Sequence, residues 1–331
     1  MEGNTRQLVL GIILIALFWF ASWMHLGILG EYAFFPLWLG YIFTVDALVA
    51  RRKGVSLLSR HPREFVALFL LSAPVWWIFE GLNRFVQNWH YLGAEHYPPW
   101  QYILVATIDF STVIPAIFET TELVSTFSFP ITLQGDQMGR GQARTSAEKI
   151  RVNPRSSASY RVISPRLPWL LMYVGALAFA AVVLVPQFAF PLTWVWLVLL
   201  IDPLNYLRGS QIPRSSAGRA SLLRQVESGD WRLVVALALA ALVCGFFWEM
   251  WNFYAMPKWY YTVPFFGFAK VFEMPLLGYG GYLPFAWELY ALHHLVWGVL
   301  RRHPIAIGLG EDSVRSTCLP DRPSFGRWQI R

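Results

Sequence analysis

Two pairs of acids stand in matched apolar surroundings. Phe79-Glu80-Gly81-Leu82-Asn83 recurs as Trp248-Glu249-Met250-Trp251-Asn252, and Pro115-Ala116-Ile117-Phe118-Glu119 recurs as Pro284-Phe285-Ala286-Trp287-Glu288, both at an offset of 169 residues. Each copy of the first motif leads into Trp-x-Tyr, as Trp89-His90-Tyr91 and Trp259-Tyr260-Tyr261, with the offset slipped by one. An ionised group inside a bilayer costs about 2.5–3.5 kcal/mol on insertion scales, so these acids require a use. Two uses fit a carboxyl with an Asn one helical turn away. A desolvated carboxyl can donate or relay a proton near neutral pH. It can equally hydrogen-bond Asn, Trp or Tyr of a neighbouring helix and fix helix register. On the first reading Glu80, Glu249, Glu119 and Glu288 are catalytic candidates, with Asn83 and Asn252 at i+3 orienting the first pair.

The elements that position them are membrane helices. The chain is 56% hydrophobic and 14% charged, and its apolar residues gather into long uncharged runs, the composition of a polytopic membrane protein. At roughly 20 apolar residues per crossing, spans fall near 8–29, 33–50, 65–86, 101–125, 168–186, 189–207, 232–253 and 272–300. The expected fold is therefore all-α, with about eight transmembrane helices. The first run is longer than the apolar core of a secretory signal and lacks a small-residue cleavage site, so it reads as a retained helix.

Basic residues alternate between loops. Arg51, Arg52, Lys53, Arg60 and Arg63 follow the second span, a run of arginines from Arg140 to Arg166 follows the fourth, Arg208 to Arg224 the sixth, and Arg301 and Arg302 the eighth. The positive-inside bias places all of these in the cytoplasm together with both termini, as in a bacterial inner membrane. The net charge of +7 is accounted for by loops that orient the chain and meet anionic lipid headgroups, without nucleic acid as a partner. Residues 127–167 are rich in Ser, Gly and Arg and read as a basic cytoplasmic linker between halves 1–126 and 168–300, with 301–331 as a tail.

The repeat extends upstream. Trp38 precedes Asp46 by the same eight residues that separate Trp194 from Asp202, at an offset of 156. Each half is then a four-helix unit, and because four is even, both have the same orientation about an axis along the membrane normal. Helical rise places Glu80 and Glu249 in an outer polar layer, and Glu119, Glu288, Asp46 and Asp202 in an inner one. Asp46, Asp202 and Asp109 are candidate proton-relay residues. Pro115 and Pro284 are expected to loosen their helices one turn before each Glu.

Other residues carry less. His293 and His294 are adjacent and diverge by about 100° on a helix, so no metal is expected there. Cys244 and Cys318 imply neither a disulfide framework nor a Cys-based metal site. Trp and Tyr gather at membrane interfaces for amphipathic reasons, yet Trp77, Trp89, Tyr91, Trp248, Trp259 and Tyr261 lie close enough to the outer acids to bind substrate, their faces stabilising positive charge. The segment 264–270 reads as an interfacial or re-entrant cap on such a cavity.

The run 259–288, with Trp259-Tyr260-Tyr261, a Gly-containing connection and Pro275-Leu276 opening an aromatic-rich helix, resembles the membrane-embedded lycopene cyclases of the heterodimer type and related carotenoid hydratases. That family consists of small duplicated helical units that perform acid-catalysed chemistry on long isoprenoids. Its Pro-x-Glu-Glu signature is replaced here by Pro275-Leu276-Leu277-Gly278, and its usual unit has three helices, so the resemblance transfers no residue roles. It implies only that the buried acids face an apolar substrate. Acid-base chemistry on a lipid-soluble, isoprenoid-like small molecule is the leading expectation. A proton-coupled carrier and a non-catalytic subunit packed against a membrane-protein partner are the alternatives. No nucleotide-binding glycine motif, nucleophile elbow or zinc motif occurs, and the residues name no cofactor.

Overall fold

The computed structural model describes residues 2–127, 163–209 and 221–300. Most of the expected linker and all of the expected tail lie outside the described residues. The described chain is predominantly helical: α1 (Glu2–Trp23), α2 (Phe34–Lys53), the short α3 (Leu57–Arg60), α4 (Pro62–Val86), α5 (Pro99–Phe110), α6 (Val113–Val124), α7 (Leu167–Leu184), α8 (Trp196–Gly209), the short α9 (Leu222–Glu227), α10 (Arg232–Phe253) and α11 (Tyr282–Val299). Among the described residues six helical stretches are long and apolar enough to cross a membrane, with 99–124 counted as one. A seventh results if Pro186–Trp194 and Trp196–Gly209, bent by 42°, form one broken span. The expected eighth, α11, is an 18-residue helix whose apolar character is diluted by Glu288, His293 and His294.

Lipid, in place of water, explains the pattern of exposure. Val9, Ile12, Ile13, Leu17 and Phe20 on α1, and Leu170, Tyr173 and Leu177 on α7, are exposed, as outward faces of spanning helices must be. Near the N-terminal end of α1, Gln7 Nε2 donates to the carbonyl of Phe43, midway along α2, at 3.2 Å. Their crossing is close because small residues face each other: a Cβ on Gly40 would stand 2.7 Å from the Leu14 Cβ and 2.9 Å from the Gly11 carbonyl. Such small-residue contacts are how membrane helices associate when no hydrophobic drive separates helix from lipid.

The interior is aromatic and crosses between the halves. Trp38, fully buried on α2, packs 5.0 Å from Trp248 and from Trp251 on α10. Trp194, its counterpart in sequence, packs 5.5 Å from Phe79 on α4, the counterpart of Trp248. One contact is thus made twice with the halves exchanged.

Residues 87–100 and 254–271, connections between expected spans, contain a two-stranded antiparallel ribbon. Strand β1 (Trp89–Leu92) pairs with β2 (Lys258–Tyr261) in the register Trp89 with Tyr261, His90 with Tyr260 and Tyr91 with Trp259. Exchanging each Trp-x-Tyr for the other maps this ladder onto itself. A second, two-residue pair, β3 (Lys270–Val271) and β4 (Met274–Pro275), follows. Four-residue strands have little stability alone, so the ribbon depends on what anchors it below.

Pro115 and Pro284 correct an expectation. Each is the third residue of its helix, α6 or α11, within the first turn, where a missing N–H breaks no intrahelical bond. The interruption between α5 and α6 falls at Ser111-Thr112 instead. There the Ser72 hydroxyl of α4 donates to the Phe110 carbonyl at 2.6 Å and accepts from the Ile114 N–H at 3.0 Å.

Candidate functional site

Asn83 and Asn252 are the anchors of the ribbon. Asn83, at the end of α4, donates through Nδ2 to the Trp89 carbonyl at 2.7 Å, and its Oδ1 accepts from the N–H groups of Asn88 at 2.9 Å and Trp89 at 3.3 Å. Asn252 repeats the grip on Trp259, donating to its carbonyl at 2.7 Å and accepting from its N–H at 2.9 Å. A side-chain amide offers a donor and an acceptor side by side and so imitates a neighbouring strand. These residues position the strands, not the carboxyls that precede them.

The strands return their side chains to the glutamates. Glu80 Oε1 accepts from Tyr91 Oη at 2.5 Å, Trp89 Nε1 at 3.0 Å and Trp76 Nε1 at 3.1 Å. Glu249 Oε1 accepts from Tyr261 Oη at 2.8 Å, Tyr282 Oη at 2.8 Å and Trp259 Nε1 at 3.4 Å. Glu249 is 0% exposed, and its Oε2 has no hydrogen bond among the described residues.

Two donors in each half come from Trp-x-Tyr; the third is supplied differently. In the first half it is Trp76, one turn before Glu80 on the same helix. The matching position in the second half is Gly245, and its empty space is filled by Tyr282, since a Cβ on Gly245 would lie 2.5 Å from the Tyr282 ring. The residue matching Tyr282 is Val113. Trp76 with Val113, and Gly245 with Tyr282, are therefore interchangeable solutions to one requirement. Gly245→Trp alone is expected to clash and lower the thermal midpoint in lipid, whereas Gly245→Trp with Tyr282→Val should recover most of that loss. A double variant no more stable than the single one would show that the third donor is not what these positions share.

The aromatic donors form the walls of a cavity of about 540 Å³ beneath the ribbon. Trp76, Trp89, Trp194, Trp248 and Trp259 line it, with Tyr91, Tyr261 and Tyr282. This volume is typical of a small-molecule site. Glu80 and Glu249 are not on its surface; they stand behind the residues that are. Asp109 and Glu31 reach it directly. Trp77, expected beside the outer acids, instead donates through Nε1 to Thr107 at 3.0 Å and lies outside the cavity. Of segment 264–270, Phe266 contributes to the wall, and Phe265, Phe266 and Phe268 are all exposed.

The second layer of acids is built differently. Asp46 and Asp202, expected in a proton relay with Asp109, are occupied as helix caps. Asp202 accepts from the Leu222 and Leu223 N–H groups, each at 2.8 Å, and from the Ser221 hydroxyl at 3.0 Å. Asp46 accepts from the Leu58 N–H at 3.2 Å and Gln7 Nε2 at 2.7 Å. The caps explain the duplicated triplets Ser56-Leu57-Leu58 and Ser221-Leu222-Leu223, in which each Ser also caps its helix through its own hydroxyl. Glu288 accepts from the Leu197 N–H at 3.0 Å, satisfying the start of α8 where the broken span resumes. Glu119, fully buried beside Asp46, has no hydrogen bond of good geometry to either oxygen among the described residues. His293 packs its ring 5.2 Å from Phe118, and His294 Nδ1 lies 3.0 Å from the Tyr290 carbonyl.

Sequence reasoning missed Glu122. It is 0% exposed and paired with Lys53 at 2.8 Å and Arg60 at 2.9 Å. It has no repeat partner, since Ala291 stands at the matching position, and so the duplication does not mark it. No protein-family model, curated protein or solved structure matches the chain.

Proposed function

We propose that this is an inner-membrane protein with both termini in the cytoplasm, built from two like-oriented four-helix halves, that performs acid-base chemistry on an apolar, isoprenoid-like molecule held between them. One observation carries the reading: Glu80 and Glu249, matched in sequence, each bind Tyr and Trp side chains that wall the same cavity. The self-matching ribbon and the exchanged Trp38–Trp248 and Trp194–Phe79 contacts support the two-fold arrangement.

In this reading the tyrosine hydroxyls are the link between ligand and carboxyl. Tyr91 and Tyr261 face the cavity and bond directly to Glu80 and Glu249, so a proton passes between carboxyl and substrate through a phenol. Positive charge developing on an unsaturated chain meets tryptophan faces, which stabilise it without rearrangement.

A transmembrane relay has less support. Ser72 marks the level where α4 meets the α5–α6 break, with Glu80 eight residues outward and Glu119 five residues inward. At 1.5 Å per residue the two layers are about 20 Å apart. Val75, Phe79, Ile114, Ile117 and Phe118, all buried apolar residues, occupy that interval.

The test uses protein purified in lipid and supplied with a long acyclic polyene. Glu80→Gln and Glu249→Gln keep a carbonyl that can accept from Tyr and Trp, so they should remain folded while product formation falls by about 10²-fold or more, the usual contribution of a positioned acid or base. Unchanged turnover in both variants would remove the assignment.

A further inference from the structure

The charge around the cavity is one-sided. Asp109 and Glu31 line it, Glu31 with His96 Nε2 at 3.2 Å, and Glu80 and Glu249 stand one hydrogen bond behind its aromatic walls. Lys258, the basic residue on the wall, is engaged by Glu273 and by the Phe253 carbonyl at 3.2 Å, with Phe253 under its ammonium. Five tryptophans surround the space, and the negative faces of aromatic rings attract cations, most strongly where water is excluded. Carboxyl groups behind the rings and on the wall add to the same field once a cation beside them favours their ionised form. An anion would be repelled there, and a molecule that arrives already cationic would meet the field on binding.

The site is also directional. Asp109 lies in the last turn of α5, with the Phe35 N–H at the start of α2 beside its carboxyl. The matching residue in the second half is Gly278, which also lines the cavity and has the Met274 sulfur lying over it. The first half thus presents a carboxylate where the second presents Met274, Pro275 and Leu277.

We propose that the cavity binds an amphiphile by a positively charged organic headgroup, such as an alkylammonium, with Asp109 as its counter-ion, the tryptophans as its cage and the apolar chain directed toward Met274 and Leu277. This rests on the cavity being a ligand site, and not on proton transfer within it.

Two probes that share a C15 isoprenoid chain, one ending in trimethylammonium and one in a hydroxyl, separate charge from hydrophobicity. Titrated into the protein in nanodiscs and followed by tryptophan fluorescence, the ammonium probe should bind at least tenfold more tightly than the alcohol. Asp109→Asn should erase that preference and leave the alcohol's affinity within twofold, while Asp109→Glu, which keeps the charge, should retain most of it. Equal affinity of the wild-type protein for both probes overturns the proposal, whatever the variants do. So does an unchanged preference in Asp109→Asn. Polyene turnover without ammonium preference would sink this inference and leave the proposed activity standing; preference without turnover would do the reverse.

Discussion

Replacing Asn83 by Leu is expected to release the ribbon from the first half and lower stability by about 2–4 kcal/mol, because the Trp89 carbonyl and the N–H groups of Asn88 and Trp89 lose their partner and each unsatisfied buried group costs about 1–3 kcal/mol. Water reaching the outer surface recovers part of that sum. The larger consequence is functional. Trp89 and Tyr91 keep their places beside Glu80 only while the backbone of β1 is held, so the wall of the cavity should loosen even where the helices persist. Asn252→Leu should act in the same way on Trp259 and Tyr261. The two strands pair only with each other in this sheet, so once one anchor is gone the second constrains less, and the double variant should cost less than the sum of the singles. Thermal midpoints in lipid measure the first effect, and ligand-induced quenching of tryptophan fluorescence the second. Strictly additive losses, or a cavity that still binds its ligand after both substitutions, would show that the asparagines do not hold the ribbon.

The membrane helices were legible because hydropathy and length alone specify them: the spans read near 33–50, 65–86, 101–125 and 232–253 overrun by no more than one residue the helical stretches at Phe34–Lys53, Pro62–Val86, Pro99–Val124 and Arg232–Phe253. The outer acids were legible because duplication repeats their neighbours. What they do was less so. Asn at i+3 reads as an orienter of Glu, yet at the end of a helix its amide reaches forward to the following strand, a choice fixed by where the helix stops. Trp89, Tyr91, Trp259 and Tyr261, which bind Glu80 and Glu249, belong to a ribbon of four-residue strands, too short to register as strands among interfacial aromatics. Tyr282 was invisible for a different reason. A repeat comparison pairs it with Val113 and pairs Gly245 with Trp76, two mismatches that make sense only when seen to compensate in space. Asp46 and Asp202 stood out as a repeated pair, but a cap is identified by the backbone it faces, and the Ser-Leu-Leu triplets that mark those backbones sit at yet another offset.

Glu122 is where a single change should cost most. Its carboxylate is fully buried between Lys53, from the end of α2, and Arg60, from α3, whose side chains are 19% and 11% exposed. Glu122→Leu would leave two cations in a pocket that was built around an anion, and removing one partner from a buried ion pair typically costs about 3–5 kcal/mol. The effect should propagate outward, because α3 is only four residues long and is fixed by this bridge, the Ser56 cap and Asp46. Its displacement would free Asp46 of the Leu58 N–H and disturb the packing of α2, which carries Trp38 to the centre of the molecule. The penalty belongs to the stranded charges and not to the missing salt bridge, since a buried ion pair replaced in full by apolar groups is often neutral. Glu122→Leu with Lys53→Met and Arg60→Met should therefore be markedly more stable than Glu122→Leu alone when thermal midpoints are compared in the same lipid. A triple variant as unstable as the single one would mean that the bridge itself, and not the balance of charge, holds α3 against the bundle.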